Sequence, residues 1–174
     1  MSLNKLVNQL SVSHKKDYSK ILKEFDFSLI DFKSIEHWKP NAYTRNCFYR
    51  DSSFELILIC WDKGVKTAIH DHDGEDCCVM LLEGEMEEDF YTLNDKGQLV
   101  FQSTKTLKKY QLTQADKNNG FHRLKNQFSQ RAMSLHLYAN PIEESLTLDE
   151  VSGKIIKKKL NYNSYKPIAL TVNN

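Results

Sequence analysis

Residues 61–84 read WDKGVKTAIHDHDGEDCCVMLLEG: a turn, a stretch carrying two histidines, an apolar run and a second turn. His70 and His72 are one residue apart, so in an extended chain both imidazoles leave from the same face. Two imidazoles so placed suit adjacent coordination positions on one metal ion. Working outward, further turns stand at DKG (62–64), EGE (83–85) and NDKG (94–97), with short runs of β-formers between them. These runs predict strands over 42–50, 54–61, 66–72, 78–82, 86–93, 99–107, 110–113, 121–124 and 132–139. Many short strands with regular turn signals indicate a sandwich or barrel.

The flanks differ from this centre. Leu3, Leu6, Val7 and Leu10 recur at helical spacing, as do Tyr18, Ile21, Leu22 and Phe25, so residues 1–38 are expected to be helical and to pack outside the barrel. The pattern changes after Pro40. From Asn140 onward the chain is polar, and its basic run KIIKKKL (154–160) suits an edge strand protected by charge. No repeat, linker or second core is visible in the 174 residues, so one domain is expected: a helical segment 1–38, a barrel core 42–139 and C-terminal strands and tail 140–174.

Composition narrows the functional classes. The chain is 40% hydrophobic, enough for a substantial core, and 24 basic against 23 acidic side chains give a formal charge of +1. That balance lacks the clustered basic excess of a nucleic-acid binder. No apolar run approaches the ~20 residues of a membrane span, and the first twenty residues lack the h-region of a signal peptide. Cys47, Cys60, Cys77 and Cys78 show no C-x-x-C spacing, and a bridge between adjacent cysteines would be strained. Reduced thiols in a cytoplasmic protein are expected, with Cys47, Cys60 and Cys78 packed as small hydrophobes. Nothing demands a second subunit, so a monomer is expected.

Four of the six histidines fall on expected strands. His122 lies in GFHRLKN, and His136 in MSLHLYA, where period two sets Ser134, His136 and Tyr138 on one face and Met133, Leu135 and Leu137 on the other. Each histidine alone has an ordinary structural explanation; their sum points to a metal site. His14 and His37, in the helical segment, are given no role.

These spacings resemble a known family. Gly64, five residues, His70-x-His72 and then Gly84 are similar to the first motif of the cupin barrels, and His122, three residues, Asn126 to the end of the second. Cys77 stands where most cupins place a glutamate ligand, and KNNGF (117–121) replaces the usual proline–glycine pattern of the second motif. With YTRN (43–46), ILICW (57–61), GFHRLKN and SLHLY, the chain resembles the thiol dioxygenases, and among them the cysteine dioxygenase type I family, from Tyr43 to Tyr138. The fold that this implies is mainly β, a cupin-type barrel (double-stranded jelly roll) with helices outside.

The resemblance implies roles residue by residue. His70, His72 and His122 match three ligands of Fe(2+), and an all-imidazole set leaves the cation's charge for a thiolate to balance. Arg45 matches a clamp for the substrate carboxylate, which a planar guanidinium grips bidentately, and Tyr43 supports it from the same strand face. Arg50, Arg123 and Arg131 are rivals for that task. Tyr138 matches an active-site tyrosine, with Ser134 and His136 as its hydrogen-bonding relay, and Cys77 matches a cysteine that joins the tyrosine ring through a thioether. The adjacent Cys78 bears on this pairing, because a one-residue slip would turn Cys77 away. Ala139-Asn140-Pro141 stands where the family usually has consecutive prolines. The implied reaction is oxidation of L-cysteine by O2 to cysteine sulfinate. Two other readings stay open: oxidation of another small thiol such as 3-mercaptopropionate, and a non-catalytic cupin whose three histidines and Cys77 hold zinc.

Overall fold

The computed structural model describes residues 2–72, 76–115 and 120–168. Two helices come first, α1 (Leu3–Ser11) and α2 (Tyr18–Glu24), followed by a short 3-10 turn at Phe27–Leu29. Helix stops there rather than at residue 38. Ile30, Phe32, Ile35 and Trp38 still pack on the apolar cluster, but from a chain in turns, where Phe32 C=O accepts from both Ile35 N–H and Glu36 N–H.

Eleven strands follow among the described residues. They are β1 (Tyr43–Arg50), β2 (Glu55–Trp61), β3 (Cys77–Glu83), β4 (Glu85–Leu93), β5 (Leu99–Lys108), β6 (Leu112–Ala115), β7 (Phe121–Lys125), β8 (Ala132–Tyr138), β9 (Glu144–Asp149), β10 (Lys154–Lys159) and β11 (Ser164–Tyr165). Six form one sheet in the order β11-β1-β2-β8-β3-β6. Facing it are the ribbons β5-β4-β7 and β9-β10, joined through the stretch 65–71. The two sheets face each other without a closed ring of ladders, as in a jelly roll.

The central strands of the six-stranded sheet are rich in apolar residues on both faces because both faces are covered. Leu56, Leu58, Cys60, Cys78, Met80, Leu82, Met133, Leu135 and Leu137 point outward, into one cluster with Leu6, Val7, Leu10 and Leu22 of the helices. Ile57, Ile59, Trp61, Cys77, Val79 and Leu81 point inward, to Met86, Leu107 and Leu124 of the facing sheet. The helices therefore do pack outside, and the neighbours Cys77 and Cys78 face opposite layers.

Two regions depart from the sequence reading. The strand expected at 66–72 is reduced to isolated bridges, Lys66 to Lys125 and His70 to both His122 and Thr147. The pairing gains one residue between Lys66 and His70, a bulge that interrupts the ladder just before the histidine pair. The tail is not merely an edge: β9 and β10 form a hairpin, and β11 runs parallel to β1, with Asn46 opposite Ser164. Strands are expected in this region, but β9 and β11 are not individually legible in the sequence, because ESLTLD and SY are short and mostly polar. The basic run does form the expected edge strand, β10. Residues 117–119 of the altered second motif lie outside the described residues, and no cis peptide bond occurs among those described, Ala139-Asn140-Pro141 included.

Gly84, between β3 and β4, has φ +80°, and a Cβ there would lie 2.7 Å from Arg131 C=O. Gly84→Ala is expected to destabilise the protein by about 1–3 kcal/mol in urea unfolding; an unchanged midpoint would show that the turn relaxes freely.

Candidate metal centre

The strands aim nine named side chains at one cavity or its wall. The bulged stretch presents His70 and His72, β7 presents His122, and the imidazole centroids lie 4.6 Å (His70–His122), 4.7 Å (His72–His122) and 5.5 Å (His70–His72) apart. One nitrogen from each ring falls within a group spanning no more than 4.8 Å. The common face predicted for His70 and His72 thus holds without a regular strand beneath them.

Tautomers follow from hydrogen bonds. The His70 Nδ1–H donates to Ala68 C=O at 2.9 Å, which leaves Nε2 as a lone pair. The His122 Nδ1–H donates to Glu88 Oε1 at 2.7 Å, and His122 Nε2 lies 3.1 Å from His72 Nε2. Nitrogens bound to one ion at about 2.0–2.1 Å sit about 3–3.4 Å apart, so this separation suits a shared metal. Burial and the neighbouring His122 push His70 down to about 3 and also lower His72. Neutral imidazoles with lone pairs converging inside a protein fit a divalent cation.

The remaining residues come from the six-stranded sheet. Cys77 and Tyr138 are direct cross-strand partners on β3 and β8, both buried, with the free thiol facing the tyrosine. Burial and the adjacent Cys78 raise the Cys77 thiol, while burial and Cys77 raise the Tyr138 hydroxyl. The other three thiols are pushed up to about 11, chiefly by burial. The Tyr138 ring lies 5.5 Å from His72, and the Arg45 guanidinium 5.9 Å from the Tyr138 ring. Tyr43 and Arg45 of β1 both line the cavity, and Tyr43 packs on Trp61 at 5.1 Å.

Ser134 and His136 meet, Oγ to Nε2, at 2.9 Å. Trp61 Nε1–H donates to the same Oγ at 2.8 Å, so the serine hydroxyl proton turns to His136 Nε2 and the ring's own proton belongs on Nδ1. His136 Nδ1 has no partner among the described residues. The rings of His136 and Tyr138 lie nearly stacked, with centroids 6.2 Å apart.

Arginine contacts separate the rivals. Arg50 binds Glu143, Glu55 and the Tyr162 hydroxyl; Arg123 binds Thr67 C=O and Glu150; Arg131 binds Asp62. Arg45 alone of the four has buried nitrogens, Nε and Nη2, without a partner among the described residues. Although burial works against its charge, Tyr138 and Glu55 hold it protonated.

The sequence reading missed Glu88, Trp61, Ser145 and Thr147, the last two lining the cavity from β9. For Glu88 a signal existed: alternation along EMEEDFYTL puts it on the face of Met86, an acid on an apolar side.

Comparison with known proteins bears on this geometry. A profile of the family Cysteine dioxygenase type I matches residues 2–151. The chain belongs to that family. Cysteine dioxygenase type 1 of Homo sapiens is 30% identical over 148 residues, covering 83% of this chain and 74% of the relative. The Rattus norvegicus protein of the same name is 27% identical over the same length and shares. Among solved structures, a Klebsiella pneumoniae protein with a double-stranded β-helix domain aligns with TM-score 0.53 and 12% identity, covering 78% of this chain and 99% of the other. The Schizosaccharomyces pombe Cnp3 cupin domain aligns with TM-score 0.51 and 11% identity, covering 66% and 70%. At such identities the structures establish the cupin fold alone. Membership of the cysteine dioxygenase family makes the chain an oxidoreductase, and its three histidines form a group that fits a metal ion. No helix among the described residues is long and apolar enough to cross a membrane.

A divalent ion binding only the folded state should stabilise it by ~2.7 kcal/mol at a hundredfold excess over Kd, raising Tm by about 5–10 °C. Scanning calorimetry of metal-stripped protein with added Co2+ checks this, and His72→Ala should abolish the shift.

Proposed function

We propose that the protein is an Fe(2+)-dependent thiol dioxygenase that converts L-cysteine and O2 to cysteine sulfinate, both oxygen atoms going to sulfur. The observation that carries the reading is the pair of buried, unpartnered nitrogens on Arg45. A guanidinium withdrawn from water costs several kcal/mol unless an anion answers it, and its free edge suits a carboxylate. The cavity measures about 70 Å³. At ~10–15 Å³ per water-sized group that is room for a molecule about as large as cysteine.

His70, His72 and His122 would hold the iron, which when bound lowers the thiol pKa and brings sulfur and O2 to one centre. Arg45 binds the carboxylate and orients the thiol toward the histidines, and Tyr43, packed on Trp61, supports it. The Tyr138 hydroxyl, beside both His72 and Arg45, donates a hydrogen bond where negative charge develops on the reacting oxygen. Ser134 holds His136, whose Nδ1–H is a second buried donor on the cavity wall. Every group comes from one chain, read as one domain acting as a monomer, and the four free thiols suit the cytoplasm.

The amino group favours cysteine over 3-mercaptopropionate, since only an aminothiol chelates through sulfur and nitrogen. A zinc site completed by Cys77 is disfavoured: the described ligand group holds the histidines without Cys77, which is the cross-strand neighbour of Tyr138. That pairing supports a Cys77–Tyr138 thioether, a carbon–sulfur bond formed as O2 accepts one thiol and one ring hydrogen.

Oxygen uptake by the iron-loaded protein should follow L-cysteine, with sulfinate formed, and Arg45→Ala should lower kcat/KM about a hundredfold or more, ~3 kcal/mol. Uptake with 3-mercaptopropionate alone would overturn the substrate. Intact mass after turnover should fall by ~2 Da, the mass of the two hydrogens transferred to O2, and Cys77→Ser should abolish that loss. An unchanged mass in the active wild type would refute the thioether.

A further inference from the structure

Glu88 is fully buried on β4, yet its position needs no acid. Period two turns it to the same side as Met86, toward the interior, where a leucine or methionine would pack without loss. It sits opposite Leu124 of β7, with His122 two residues further along the partner strand, within reach of a long side chain. Its Oε1 accepts from His122 Nδ1–H at 2.7 Å, and its Oε2 has no partner among the described residues. A carboxyl group withdrawn from water for one hydrogen bond costs more than that bond returns. Such a group is retained for what the bond does.

The bond does two things. It places the proton of His122 on Nδ1, and it fixes the ring's rotation so that Nε2 faces His72 Nε2, 3.1 Å away. His70 is held in the equivalent way by the carbonyl of Ala68, part of its own backbone stretch. The triad is therefore locked by two different acceptors, and the one on His122 is a side chain.

We propose that Glu88 is a positioning residue for His122: it holds the imidazole with Nε2 toward the metal and makes it a stronger donor, and so sets how tightly the triad retains its ion. The proposal rests on reading His70, His72 and His122 as a metal site, independently of which metal or thiol is used. It also qualifies the all-neutral ligand set, because an acidic group stands one hydrogen bond behind the centre. Outer partners of this kind are typically worth 10–100-fold in metal affinity.

Two variants of the full chain test it, Glu88→Met and Glu88→Gln, with Co2+ as the probe in chelator competition and in its visible ligand-field spectrum. Glu88→Met removes the acceptor while keeping length and apolar fit. Its Kd for Co2+ should weaken about 10–100-fold with an altered spectrum, while the melting temperature of the metal-free protein stays level or rises. Glu88→Gln keeps an oxygen acceptor for Nδ1–H and should lose less affinity than the methionine variant. Unchanged affinity and spectrum in Glu88→Met would overturn the proposal. So would affinity that falls only in step with metal-free stability, or equal losses in the two variants. A wild-type chain that binds no Co2+ would instead overturn the metal reading, and the role of Glu88 with it.

Discussion

Two reciprocal backbone hydrogen bonds, His70 N–H to His122 C=O and the reverse, each 2.9 Å, are the constraint on which the rest of the molecule depends. They join residues 52 positions apart and bring two candidate ligands face to face across the sheet. On its other side His70 bridges Thr147, so the same residue carries the ribbon β9-β10. Backbone bonds from Thr67 to Leu124 and from Leu148 to Ile69 extend the join on either side, so the contact that gathers the histidines also unites the facing sheet. A bulge just before it interrupts the regular ladder, as is common beside functional sites.

The opposite wall is built on another principle. β2 and β8 are buried throughout and β3 as far as Leu82, and each divides its buried residues between two layers. The outer layer is almost wholly apolar and is sealed by α1 and α2. That seal lets β8 carry Ser134, His136 and Tyr138 inward without losing its grip on the structure. A polar inner face is costly, and here it is largely satisfied: Trp61 feeds Ser134, Ser134 feeds His136, and Tyr138 meets Cys77 and Arg45.

What remains unsatisfied is concentrated around the cavity. Arg45 Nε and Nη2, His136 Nδ1 and Glu88 Oε2 are the buried side-chain atoms without partners among the described residues, and each belongs to a residue of the site or touching it. Elsewhere even dense charge is answered, as where Arg50, Glu55, Tyr162 and Glu143 bind one another. Unmet hydrogen-bonding capacity in a native interior marks places where something else completes the set.

Periodicity and turn chemistry alone determined the β-architecture, the outer helices, the inward face of Ser134, His136 and Tyr138, and the histidines that converge. Those features depend on local rules: side chains alternate along an extended chain, and glycine turns end it. The roles proposed for Arg45 and Cys77 came from the resemblance in the motifs, since spacing could not supply them. Tertiary structure decided the rest. Pairing Cys77 opposite Tyr138 rather than Cys78 is a matter of register between distant strands. Freedom of Arg45, with Arg50, Arg123 and Arg131 already engaged, depends on acids and carbonyls contributed by other elements. Glu88 behind His122, and the short strands that the tail adds, exist only through contacts between segments far apart in the chain. A pattern within one segment carries no record of the partner that folding brings to it.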